Sequence, residues 1–298
     1  MADTSAQAAL AGPTGIRAYY ELTKPGIAGY VMITAGVSAY VASRGQIALA
    51  QAVHTIVGTG LATAGALALN QWVERDYDAV MVRTRNRPIP SGRISPRAAG
   101  LFGSALLAAG LVHLLVLVGW LPATLAAVSA GAYHGIYTPL KTRSHLATLA
   151  GGVPGALPTL IGWTAATGRV DGAGLALFAI AYAWQLPHVL GLAWMLREDY
   201  ARVGFKLIPP HDDAGAVIGR HMTAWLVLLI PLSTLPTVLG YTGGVYLLGA
   251  VFASSGFLGV GIGAALDLTD RAARKVFFGS LVYHPVLLTL MLLDTVRP

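Results

Sequence analysis

The 298-residue chain contains no cysteine, which removes disulfides and thiolate metal sites and leaves the compartment undecided. It is also poor in charge. Asp, Glu, Lys and Arg make up 11% of its residues, against roughly 25% in soluble domains, so the polar surface of an ordinary soluble domain is missing. Acidic residues are the scarcer kind, 13 against 20 Lys and Arg, giving a formal net charge of +7. The basic residues do not form the stripe that follows a nucleic-acid groove, which excludes nucleic acid as the partner. The N-terminal stretch lacks a basic segment running into an apolar core, and residues 1–20 read as a loose cytoplasmic tail.

What the chain has is apolar sequence: 55% hydrophobic residues and a mean hydropathy of +0.64. A single crossing of a bilayer needs roughly 20 apolar residues, and about nine such runs are present. They lie at 25–43, 51–73, 97–119, 121–138, 146–166, 173–196, 216–239, 244–266 and 276–295. Backbone amides in lipid must be satisfied within each segment, and runs this long without strict alternation are helices. The fold class is therefore all-α, a polytopic membrane protein with the lipid bilayer as its main solvent. No linker or composition break divides residues 1–298, which read as one membrane domain.

With the N-terminus inside, all Lys and Arg except Arg44, Arg169 and Arg297 fall on the inner side, and the positive-inside rule fixes that orientation. An odd number of crossings puts the C-terminus outside. The inner face carries two long polar segments, 75–96 and 197–215, four helices apart. That spacing predicts two related four-helix halves plus a ninth helix, with the chemistry between the halves. Small residues such as Gly58, Gly60, Ala62 and Gly65 allow close helix packing.

The second run ends in Asn70, Glu74 and Asp78, whose spacing of four puts three oxygen-bearing side chains on one helix face. They suit Mg²⁺, which is usually held by a few carboxylates together with substrate phosphates. Alternatively they form a solvated helix end with Glu74 paired to an arginine. The segment that follows carries Arg83, Arg85, Arg87 and Arg93 among turn-forming Pro88, Pro90 and Gly92. Guanidinium forks grip phosphate oxygens, so such a loop beside a carboxylate-bound cation suits a diphosphate; plain positive-inside charge is the other reading. Glu198 and Asp199 close the sixth run at the same face, either as a second acidic edge or as helix-end charges, and Tyr137, Lys141 and Arg143 close the fourth.

These residues resemble the UbiA-type intramembrane prenyltransferases, whose first signature is Asn-x₃-Asp-x₃-Asp; Glu74 takes the middle position here and lengthens that arm. The resemblance runs through 22–26, 70–92, 137–143, 151–163, 184–188, 199–209 and 274–294. Within the family, the Arg-Thr-x-Asn-Arg-Pro string at 83–88 and the Trp-Gln-x-Pro-His string at 184–188 are similar to those of members that farnesylate protoheme IX. Lys206 departs from the pattern, and the polar His211, Asp212 and Asp213 follow it; Lys206 is either a phosphate contact or one more inner charge.

The resemblance implies a transferase of the bacterial plasma membrane, the cell inner membrane, with its active-site loops cytoplasmic. It would carry farnesyl from farnesyl diphosphate to a vinyl group of protoheme IX, with water added, in heme biosynthesis. It implies Mg²⁺ as cofactor, held by Asn70, Glu74, Asp78 and Asp199, with Glu198 beside them. Lys24, Arg83, Arg87, Tyr137, Lys141 and Arg143 would contact the diphosphate and His188 the heme. A downstream heme-modifying enzyme is admitted as a partner. An aromatic or quinone precursor as acceptor is the alternative within the family. A membrane transporter is the alternative outside it, and would need ionisable groups along a path rather than at one face.

Overall fold

The computed structural model describes residues 15–210, 212 and 214–297; His211 and Asp213 lie outside the described residues. The helices are α1 (Ile16–Leu22), α2 (Pro25–Ala42), α3 (Leu49–Val73), α4 (Arg75–Val80), α5 (Pro96–Leu117), α6 (Trp120–Ala132), α7 (Ala147–Thr167), α8 (Gly172–Met195), α9 (Arg197–Arg202), α10 (Ala216–Val238), α11 (Gly244–Leu266) and α12 (Asp270–Leu293).

Seven of them, α2, α3, α5, α8, α10, α11 and α12, are long and apolar enough to cross a membrane. The nine expected crossings are not all of that kind. The run over 121–138 is interrupted, because α6 stops at Ala132 and continues as a π-helical turn, Tyr133–Tyr137, and a last helical turn, Thr138–Leu140. The run over 146–166 is α7, a 21-residue helix that carries Gly151, Gly152, Pro154, Gly155 and Pro158, residues that dilute its hydropathy. The expected loose tail is also shorter than 1–20. Its first 14 residues lie outside the described residues, but α1 begins at Ile16, and Ala18 and Leu22 are fully buried.

Local sequence starts and stops the helices where chemistry requires. Ser95 caps α5 by accepting from the Ala98 amide, with Pro96 in the first turn, where its missing N–H costs nothing. Asp171 accepts from the Ala173 and Gly174 amides at the start of α8, and Thr269 from Ala272 at the start of α12. Gly168 ends α7 at φ 68°, a left-handed conformation natural to glycine.

Helices consecutive in the chain pack side by side, and α12 returns to α2 to close a ring; α2 also packs across it on α7. In lipid such contacts rest on close packing rather than on water exclusion. A Cβ on Gly65 would collide with the backbone of Leu107, one on Gly110 with that of Ala62, and one on Gly162 with that of Ala35. These glycines let α3 approach α5 and α2 approach α7. Large side chains such as Leu101, Val116, Phe252 and Leu293 point outward and stay exposed, as a lipid-facing surface allows.

Packing is uneven round the ring. The C-terminal helices α8, α10, α11 and α12 share a dense core that includes Trp184, Met222, Leu226, Phe257, Val276 and Leu287. An apolar cavity lies among α2, α3, α6 and α7, and two larger polar ones lie against the connections at one end of the ring.

Candidate active site

The site is built on the end of α3. Glu74 breaks the helix there, yet the Glu74 amide still donates to Asn70 (2.9 Å) and the Asp78 amide to Glu74 (2.8 Å). The four-residue register is kept across the break, so Asn70, Glu74 and Asp78 line one chamber of about 480 Å³. Asp76, off that face, is 83% exposed and pairs with Arg75.

Glu21, Glu74 and Asp78 are the chamber's carboxylates, and each is partnered by a cation. Lys141 Nζ lies 2.5 Å from Glu74 Oε1, and both side chains are buried. Arg87 Nη1 donates to both oxygens of the fully buried Asp78, at 2.8 and 2.7 Å. Burial by itself would lower the Lys141 ammonium, but the neighbouring Tyr137, Tyr133 and Glu74 outweigh it and raise it. The Lys141 ammonium also sits 4.5 Å from the centre of the Tyr137 ring, an attraction of the cation–π type. The π-helical turn re-aims Tyr133 and Tyr137 so that both line the chamber, in keeping with the recurrence of such turns at functional sites.

Lys24 enters from the other side. It is held at φ 45° immediately before Pro25, a left-handed backbone uncommon in a residue with a side chain and costing of order 1 kcal/mol. Its Nζ donates to Asn70 Oδ1 at 3.3 Å, so the amide oxygen is engaged while Asn70 Nδ2, buried, has no partner among the described residues. Burial first, and then the Arg87 guanidinium, lower Lys24 to about 7. An anion entering the chamber acts in the opposite sense and favours the ammonium.

The arginine segment is folded onto this floor. Ile89 and Ile94 are buried with Ala18, Leu22, Ala68 and Ala99, which ties the loop to α1, α3 and α5. Thr84 Oγ1 donates to the Asp78 carbonyl (3.0 Å), and Arg93 pairs with Glu21 (2.7 Å). Asp199 accepts the Val82 and Arg83 amides at 3.2 and 3.1 Å and is also bonded to Arg202.

The structure thus brings Lys24, Asn70, Glu74, Asp78, Arg83, Arg87, Tyr137 and Lys141 to one chamber, and leaves four expected residues off it. Asp199 anchors the backbone that carries Arg83. Glu198 lines a neighbouring hollow with Trp194 and Arg197. Arg143 is exposed. His188 stays in the C-terminal half, hydrogen-bonded to Ser280 (2.7 Å) and stacked between Trp184 and Phe277. Lys206 is exposed, whereas its neighbours Phe205 and Leu207 are buried and line the chamber.

Sequence reasoning missed Tyr133, Gln71, Asn86 and Tyr200, which also line it. Tyr133 was readable from its spacing of four to Tyr137; Tyr200 and Phe205 reach the chamber only because α9 folds back over it.

As for metal, two carboxylates and an amide oxygen are hard donors suited to Mg²⁺. Among the described residues no cluster of three or more His, Cys, Asp or Glu could hold a metal. The donors therefore fit a cation shared with substrate phosphate and not one caged by protein alone. A second, apolar cavity of about 130 Å³ adjoins the chamber; Ile27 and Tyr133 line both.

Residues 31–282 match the model of the UbiA prenyltransferase family. The protoheme IX farnesyltransferase of Solibacter usitatus (strain Ellin6076) is 40% identical over 288 residues, covering 94% of this chain and 99% of that one. Among solved structures, a digeranylgeranylglyceryl phosphate synthase superposes with a TM-score of 0.78 at 19% identity, covering 94% of this chain and 98% of that one. A UbiA homologue from Archaeoglobus fulgidus, bound to GPP and Mg²⁺, gives 0.64 at 14% identity over 92% and 99%. On its matched sequence, its ring of membrane helices and its one-sided polar chamber, this chain belongs to the UbiA prenyltransferase family.

Proposed function

We propose that this chain transfers a farnesyl group from farnesyl diphosphate to a vinyl group of protoheme IX, with addition of water, to give heme O. The observation that carries the transfer chemistry is the adjacency of two cavities. A chamber with Lys24, Arg83, Arg87 and Lys141 around Glu74 and Asp78 shares Ile27 and Tyr133 with an apolar slot between α2, α3, α6 and α7. A diphosphate head and an isoprenoid tail need that pairing. The acceptor rests on relatives such as the Solibacter usitatus enzyme, matched over nearly the whole of both chains.

In this reading Arg87 and Lys141 exchange part of their hold on Asp78 and Glu74 for diphosphate oxygens, freeing the carboxylates as cation ligands. The unpartnered Asn70 Nδ2 and the Lys24 ammonium supply further donors to phosphate. Mg²⁺, held by Glu74, Asp78 and the amide oxygen of Asn70, would neutralise charge on the leaving diphosphate. The fixed cations stabilise the same charge as the C–O bond breaks, which is the kind of electrostatic help that dominates many reactions. The half-buried aromatic rings of Tyr133 and Tyr137 face the allylic cation and exclude water until the vinyl carbon attacks it. Water then adds to the resulting cation and loses a proton. Asp199, which holds the Arg83 backbone, is a positioning residue here.

The orientation belongs to the same proposal: N-terminus and chamber on the cytoplasmic side, C-terminus outside, supported by the one-sided distribution of Lys and Arg. Incubation of the purified protein with protoheme and farnesyl diphosphate, with and without Mg²⁺, is the direct test. Mg²⁺-dependent appearance of hydroxyethylfarnesyl heme by mass supports the reading; prenylation of a phenolic acid and not of heme overturns the acceptor.

A further inference from the structure

The apolar slot continues the chamber along a single stripe of α3. Asn70 lines the chamber, and Leu67, Thr63, Ala62 and finally Thr59 line the slot. Facing it are Tyr133, on the π-helical turn, and Ala130, Ser129 and Ala126 of α6. From Asn70 to Thr59 α3 rises about 16 Å, which sets the depth of the far end of the slot below the polar chamber. Past it the space is filled, because Ala62, Ala126 and Ile161 pack with Leu114 and Ala123.

Thr59 marks that end chemically. Thr34, Thr55 and Thr164 each donate their hydroxyl to the carbonyl four residues back. Thr59 does not: its hydroxyl is buried, 1% exposed by residue, and has no hydrogen-bond partner among the described residues. A buried hydroxyl without a partner is costly unless something visits it. The slot also carries the hydroxyls of Thr63, Ser129 and Tyr133, and among the described residues none of them is bonded to Thr59; the π face of an alkene on an entering tail is a weak but real partner for the Thr59 hydroxyl.

We infer that Thr59, together with Ile161, is an end-stop that limits the allylic chain to three isoprene units, its hydroxyl meeting the last double bond. An extended chain of three units spans about 14 Å and one of four about 18 Å, against about 16 Å of helix rise to the stop. The inference rests on the prenyl diphosphate reading of the chamber but not on the identity of the acceptor. The slot is narrow, about 130 Å³, so each added unit is felt.

The test is binding of geranyl, farnesyl and geranylgeranyl S-thiolodiphosphates, which resist ionisation, to the purified full-length protein with Mg²⁺, by titration calorimetry. The wild type should prefer farnesyl over both others by about tenfold in Kd. Thr59→Phe should invert the farnesyl-to-geranyl preference, and Ile161→Ala should remove most of the geranylgeranyl penalty. Thr59→Val should weaken farnesyl relative to its saturated-tail analogue by about threefold. Ratios unchanged within about twofold in Ile161→Ala overturn the end-stop, and that variant decides alone if Thr59→Phe does not accumulate. Shifted ratios in a protein that makes no prenylated heme leave the end-stop standing and overturn the acceptor reading.

Discussion

Lys141 and Glu74 show how the site holds charge before substrate arrives. Each is buried, and each is tolerable there only because the other is 2.5 Å away. Removing one partner of such a pair leaves an uncompensated charge. Lys141→Met should therefore lower unfolding stability in detergent by about 3 kcal/mol, read from thermal or denaturant unfolding. Adding Glu74→Gln to it should recover most of that loss. The double variant should still be inactive, because both the phosphate cation and the metal-ligating carboxylate are gone. Full turnover by the double variant would remove Glu74 and Lys141 from the proposed chemistry. Asp78→Ala, in the same chamber, should lower turnover by at least about 10²-fold while the protein remains folded in the membrane.

At the scale of elements, what sets the site is where helices are allowed to touch and where they are interrupted. Glycine faces bring α3 to α5 and α2 to α7, and a side chain on Gly65 or Gly162 meets backbone, which cannot step aside. Gly162→Val should force α2 away from α7 and destabilise by about 3 kcal/mol or more, at the upper end of overpacking costs. The loss should appear in the unfolding transition and in reduced affinity for the prenyl diphosphate, since both helices flank the slot. A substitution at Gly131, where a Cβ meets nothing, is the matched control. Interruption matters as well as contact: the π-helical turn at Tyr133–Tyr137 shifts the helical register where Tyr133 and Tyr137 line the chamber, whereas the break at Glu74 leaves the register of Asn70, Glu74 and Asp78 intact.

Across the whole molecule, density is divided. The C-terminal helices share one dense core, while the apolar slot lies among helices of the N-terminal half and the chamber draws its lining from both halves. The absence of cysteine makes the proposed orientation easy to test. Single replacements Arg85→Cys, in the arginine loop, and Val170→Cys, between α7 and α8, give one thiol each on an otherwise thiol-free chain. In intact cells a membrane-impermeant maleimide should label the second and not the first. The reverse pattern would overturn the cytoplasmic placement of the chamber.

The membrane setting, the all-helical class and the Asn70, Glu74 and Asp78 face were legible in the sequence, because hydropathy and a spacing of four are local properties that the chain carries without folding. So was the arginine loop, whose turn residues prescribe its shape. Tertiary structure decided the rest, since those features depend on which distant segments meet. It shortened the expected tail by packing α1 under Ile89 and Ile94, and it put Lys141 rather than an arginine on Glu74. Asp199 went to the Val82 and Arg83 amides and His188 into a packed half away from the chamber, because helix-end position and motif say nothing about which neighbour occupies a carboxylate or an imidazole. The slot and its end at Thr59 arise from four helices together, and no one of them carries that depth in its own sequence.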